Sequence, residues 1–145
     1  MSDILRAAPA LDLQSARQAG AAALRQGRAR EALACFERIA AAGRADPALW
    51  IGMAMARGML GDAAGELAAL QEALKLDPRE ARALMMCGDH HARAGDDRAA
   101  QAYYQAFLSL APGTNDAALH AEMPRARRLC EGYAAAFGAH FEAAL

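Results

Sequence analysis

Gln26-Gly27-Arg28, Leu60-Gly61-Asp62 and Ala94-Gly95-Asp96 set three glycines 34 residues apart in a chain of 145. A fixed period in this range marks a stacked array of repeats rather than a closed globular fold. The register extends well away from the glycines. Seven residues upstream stand Gly20, Ala54 and Gly88, all small; nine downstream stand Phe36, Leu70 and Tyr104, all large. Five downstream are Ala32, Glu66 and Ala100, twelve downstream Ile39, Ala73 and Phe107, and seventeen downstream Arg44, Pro78 and Pro112.

Each unit therefore reads as a helix, a glycine turn, a second helix and a stop. The glycine supplies the left-handed residue that ends the first helix. Pro78 and Pro112 cannot continue a helix and end the second one. Small positions let paired helices approach closely, and large ones fill the space between them. The spacing predicts helices over 9–26, 29–42, 47–60, 63–76, 79–94 and 97–110, with the clearest break at Pro112-Gly113-Thr114-Asn115.

This pattern resembles the tetratricopeptide repeat family, whose unit is a 34-residue helix–turn–helix. Trp50, Gly88, Gly95, Ala100, Tyr104 and Pro112 carry the likeness, with Gly61, Ala73 and Pro78 in the middle unit. The resemblance implies an all-α, right-handed α-solenoid of three helix pairs, over 13–46, 47–80 and 81–114. A lead-in at 1–12 precedes them and capping or linker helices at 115–145 follow. The first unit departs from the family with Ala16 in place of the frequent Trp and Arg44 in place of Pro. The second has Glu66 where a small Ala is expected; such a residue either snorkels outward or marks a local shift in packing.

Composition agrees. The chain is rich in alanine, the best helix former, and only 6% aromatic. Its formal charge is −1, with both signs interspersed, which argues against a nucleic-acid footprint. The short run Arg125, Arg127, Arg128 reads as a solvated helix face. No stretch reaches the apolar length of a membrane span, and residues 1–14 lack the features of a signal peptide, so a cytoplasmic location is expected. Cys35, Cys87 and Cys130 have no metal spacing and read as buried, reduced thiols.

After Asn115 the register fails, yet the tail remains helical in pattern. A short helix is expected over 115–122, and Pro124 suits the first turn of a new one. From there Leu129, Tyr133, Phe137 and Phe141 recur every four residues as one apolar docking stripe. The stripe has three readings: a cap on the array, a linker to a further domain, or a contact between two copies of the chain. It runs to Leu145 without a stop signal, which raises the expectation of a longer protein.

The segment Arg125-Ala126-Arg127-Arg128-Leu129-Cys130-Glu131-Gly132-Tyr133, with Phe137 and Phe141, also looks like the connector in bacterial repeat proteins of the aspartyl/asparaginyl β-hydroxylase family. That resemblance covers about thirty residues and no catalytic motif. It implies that the chain is the non-catalytic arm of an iron- and 2-oxoglutarate-dependent oxygenase. A metal site in this chain is not expected. His120 and Glu122 are two apart and diverge on one helix, and His140 belongs to another expected helix. His90 and His91 also diverge, with His91 in a packing register. No nucleophile elbow, phosphate loop or zinc-protease motif is present, so no catalytic residue and no cofactor is assigned.

Function is then sought on the inner face that the first helix of each repeat lines. The register puts Arg17, Leu24 and Arg25 there from the first unit and Ile51, Met55 and Met59 from the second. The third contributes Arg82, Met85, Asp89 and Arg93. The centre is rich in methionine, which adapts to varied partners, and the edges carry arginines. A protein or peptide partner with apolar anchors and some acidic residues fits such a groove. The competing reading is that the chain's own C-terminal helix fills it. The family's carboxylate clamp for chaperone C-termini is not expected: Arg17 is its one counterpart here, with Ala21 and Gly52 where amides are needed.

Overall fold

The described residues form seven helices, and a glycine closes four of them. The computed structural model describes residues 10–110 and 117–144, with side chains over 12–110 and 119–136. The chain divides into two compact units, residues 1–78 and 79–145. The first holds α1 (Ala10–Arg25), α2 (Ala29–Ala41), α3 (Pro47–Met59) and α4 (Ala63–Leu76). Successive helices pack on one another, and α1 also touches α3. The second holds α5 (Ala81–Arg93), α6 (Asp97–Leu108) and α7 (Ala117–Ala144); α6 packs on both neighbours and α7 also touches α5.

The glycine turns have one construction. At α3, Gly61 takes φ +78°, its N–H donates to the Gly58 carbonyl at 3.1 Å, and the Asp62 N–H donates to the Arg57 carbonyl at 2.9 Å. This pair of bonds is the Schellman motif, and it needs a residue that tolerates positive φ. Gly27 and Gly95 repeat it. So does Gly43, at the end of α2: its φ is +72° and the Arg44 N–H donates to the Ile39 carbonyl at 3.2 Å. The stop that Arg44 fails to provide is therefore supplied one residue earlier.

Asp62 has a second task, since its side chain accepts from the Gly65 N–H at 2.9 Å and caps α4. Asp96 caps α6 in the same way through the Ala99 N–H. Asp46 caps α3 through the Leu49 N–H at 2.8 Å, with Pro47 in the first turn. Arg28, the equivalent residue before α2, makes no side-chain cap. Before Pro78 the chain leaves the helix: Asp77 is extended at φ −142°, ψ 98°.

Small and large positions meet as expected within each unit. In the first, Phe36 is buried beside Gly20 and Gly52; a methyl group at either glycine would stand 2.6 or 2.9 Å from the ring. In the second, the Tyr104 ring lies across Gly88 so closely that a methyl group there would collide with it. Ile39, Leu70, Ala73 and Phe107 are buried in their units.

Two expectations are corrected. The tail is one helix over Ala117–Ala144, with Pro124 inside it instead of opening a second helix. A mid-helix proline loses one hydrogen bond and crowds the preceding turn. Here the following turn is anchored, because Ala126 is buried and Arg125 is held by Asp89. The second correction is Glu66, which does not snorkel. It points inward and is buried, and Gly58 on α3 provides the room. The break at Pro112–Asn115 lies outside the described residues. Among the described residues no helix is long and apolar enough to cross a membrane.

Candidate functional site

In the first unit, α3, which the repeat register assigns to the inner face, carries exposed apolar side chains. Met55 is 39% exposed and Met59 is 50% exposed, and Leu60 beside them is exposed as well. Together they leave a small apolar patch in water at helical spacing. On α1, Leu24 is half-buried and Arg25 exposed. Arg17 is half-exposed, and its two terminal nitrogens donate to Asp46 Oδ1 at 3.3 Å and Oδ2 at 3.0 Å. Its guanidinium thus braces the cap of α3.

Ile51 and Met85 do not belong to an exposed lining: each is 4% exposed. Each stands four residues before the register position of Met55 or Asp89, a rotation of about 40° along the helix. That rotation carries them into the packed interior.

In the second unit, Asp89 is the centre of a polar cluster. The Tyr104 hydroxyl donates to Oδ1 at 2.6 Å, and the Arg125 guanidinium forks onto both oxygens at 2.8 and 3.1 Å. Arg125 Nε also donates to Glu122 at 2.7 Å. Burial pushes the Asp89 carboxyl up, but the bonds from Arg125 and Tyr104 and the charges of Arg125 and Arg93 outweigh it, leaving the pKa below the usual carboxylate value. Burial, then the bond to Asp89, holds the Tyr104 phenol far above its ordinary value. The bond to Asp89 likewise raises Arg125. Such a bidentate pair is a strong anchor for α7 on α5. Sequence reasoning read Asp89 as lining and the arginine as solvated. The two residues are 36 apart, and no local pattern joins them.

Arg82 and Arg93 are exposed on α5. Leu129 and Tyr133 are half-buried on α7, and the Tyr133 ring stacks near Tyr104 with centroids 6.4 Å apart and planes 9° from parallel. The side chains of Phe137 and Phe141 lie outside the described residues. His91 stacks on Tyr103 at 5.4 Å, and His90 meets His91 edge-on. His120 is exposed, Glu122 is engaged by Arg125, and the His140 side chain lies outside the described residues. Among the described residues no three His, Cys, Asp or Glu side chains are grouped to hold a metal. Cys87 is buried as expected, whereas Cys35 and Cys130 are half-exposed, which corrects their reading as buried thiols.

No protein-family model and no curated protein sequence matches the chain. Solved structures do. PcrH of Pseudomonas aeruginosa, in complex with the chaperone binding region of PopD, superimposes with a TM-score of 0.75 at 21% identity, covering 85% of this chain and 91% of that one. The Yersinia enterocolitica type III secretion chaperone SycD, in complex with a peptide of the translocator YopD, gives 0.77 at 14% identity over 86% of this chain and 94% of that one. The first tetratricopeptide domain of Spaghetti, bound to the HSP90 peptide SRMEEVD, gives 0.67 at 20% identity over 81% and 94%. At these identities the likeness establishes the fold: an all-helical array of the tetratricopeptide type.

Proposed function

We propose that this chain is a non-catalytic, chaperone-like module that holds a peptide segment of a partner protein against α1 and α3 of its first unit. One observation carries the reading: Met55 and Met59 stand in water on an inner-face helix of a fold whose solved counterparts include complexes with peptides. Met55 and Met59 are 39% and 50% exposed, so covering the remainder of each contributes roughly 0.6–1.5 kcal/mol, and the flexible thioether accepts different anchor shapes. Arg25 supplies charge at the edge for an acidic residue of the peptide.

The mode differs from a carboxylate clamp. Arg17 is engaged by Asp46, Gly52 is packed against Phe36, and neither Ala21 nor Gly52 carries an amide. In the second unit, Arg125 and Tyr133 tie α7 to Asp89 and Tyr104. We read that helix as an end cap rather than as a contact between two copies. The oxygenase-arm alternative finds no support in the structures matched.

The test is equilibrium binding of peptides selected on the full chain from a random library. Met55→Glu and Met59→Glu are expected to abolish binding while far-UV circular dichroism stays unchanged. Unaltered affinity in both variants refutes this face.

A further inference from the structure

The last helix, α7, is held on its unit differently from the repeat helices. Within its 13 residues α5 buries Ala83, Leu84, Met85, Cys87 and Gly88. Among the described side chains of α7, over 119–136, Ala126 alone is buried; Leu119, Met123, Leu129 and Tyr133 are half-buried. An element with so little apolar burial sits at the low end of local stability and depends on its polar anchor. That anchor is the fork of Arg125 on Asp89, whose side chains remain 38% and 32% exposed. Pro124, one residue before it, removes a backbone donor from the helix.

Both ends of the fork have a second partner on their own side. Arg125 Nε donates to Glu122 within α7 at 2.7 Å. Asp89 accepts from the Tyr104 hydroxyl of α6 at 2.6 Å and feels the charge of Arg93 on α5. Parting the fork therefore strands neither charge, which avoids the large penalty of an unpaired buried ion. We propose that α7 is a latched strap: when the Asp89–Arg125 fork opens, the helix leaves its unit whole while α5 and α6 stay folded. Asp89 holds in its repeat the register position of Met55, 34 residues earlier. The closed strap thus engages the second unit's counterpart of the position left open in the first, and its release uncovers that counterpart. The latch does not depend on a peptide at Met55.

The test is native-state hydrogen exchange on the full chain, read by mass spectrometry of peptic fragments from α5, α6 and α7. In the unaltered chain the α7 amides are expected to exchange faster than those of α5 and α6. Arg125→Ala keeps helix propensity and removes the fork. It is expected to speed α7 about tenfold, the low end for hydrogen bonds to a charged group, because both partners are partly exposed. The amides of α5 and α6 are expected to change less than about twofold. Raised salt reads the same latch without a substitution: it screens a part-exposed pair and is expected to speed α7 alone. Equal acceleration of all three helices in Arg125→Ala overturns the proposal, since α7 then belongs to one cooperative unit. An α7 rate that neither Arg125→Ala nor salt changes overturns it as well, since apolar packing then holds the helix.

Discussion

Gly88→Ala and Gly132→Ala make the same chemical change in a helix and are expected to move stability in opposite directions. Alanine gains about 1 kcal/mol over glycine in a helix interior. At Gly132, exposed on α7, an added Cβ meets nothing within 4 Å, so most of that gain survives. At Gly88 the Cβ collides with the Tyr104 ring. The ring cannot slide away freely, because its hydroxyl is held by Asp89 and Asp89 is held by Arg125. Overpacking of this kind costs about 1–3 kcal/mol, and breaking a hydrogen bond to a charged acceptor costs about 1.5–3 kcal/mol. Setting these against the helix gain leaves Gly88→Ala less stable by about 1.5–5 kcal/mol. Urea unfolding followed by circular dichroism reads both variants as midpoint shifts at unchanged slope. A Gly88→Ala protein as stable as the original refutes the close packing of α5 on α6.

Arg28→Asp should give α2 the cap that Asp62 and Asp96 give α4 and α6, raising stability by about 0.5–1 kcal/mol and the melting temperature by a few degrees. Asp89 has a folded pKa below its unfolded one, so its contribution is fully present above about pH 4 and is lost as pH falls through the folded value. Asp89→Asn is expected to flatten that acid limb in a stability–pH profile. Native-state alkylation should modify Cys35 and Cys130 and spare buried Cys87. Cys130 should react more slowly than a free thiol at neutral pH, since burial and then Glu131 raise its pKa.

Period and volume were legible in the sequence because they are local. Gly27, Gly61 and Gly95 each close a helix within six residues, and Phe36 and Tyr104 fill space left by glycines of the adjacent helix. What escaped depends on contacts that carry no period. Gly43 ends α2 without the proline that the pattern led one to seek at residue 44. The helix passes through Pro124 because tertiary anchors on the next turn outweigh a local break. Ile51 and Met55 share a stripe by spacing, yet a rotation of about 40° separates a core side chain from an exposed one. Glu66 stood out in the register, but the room that Gly58 leaves for it lies across two helices and carries no period.

The central claim is that a peptide lies on Met55 and Met59. Methyl resonances of the chain's seven methionines, assigned by substitution and followed on titration with a library-selected peptide, test it directly. The account predicts that Met55 and Met59 shift with the binding isotherm while buried Met53 stays in place. Saturable binding that leaves both Met55 and Met59 unmoved contradicts it.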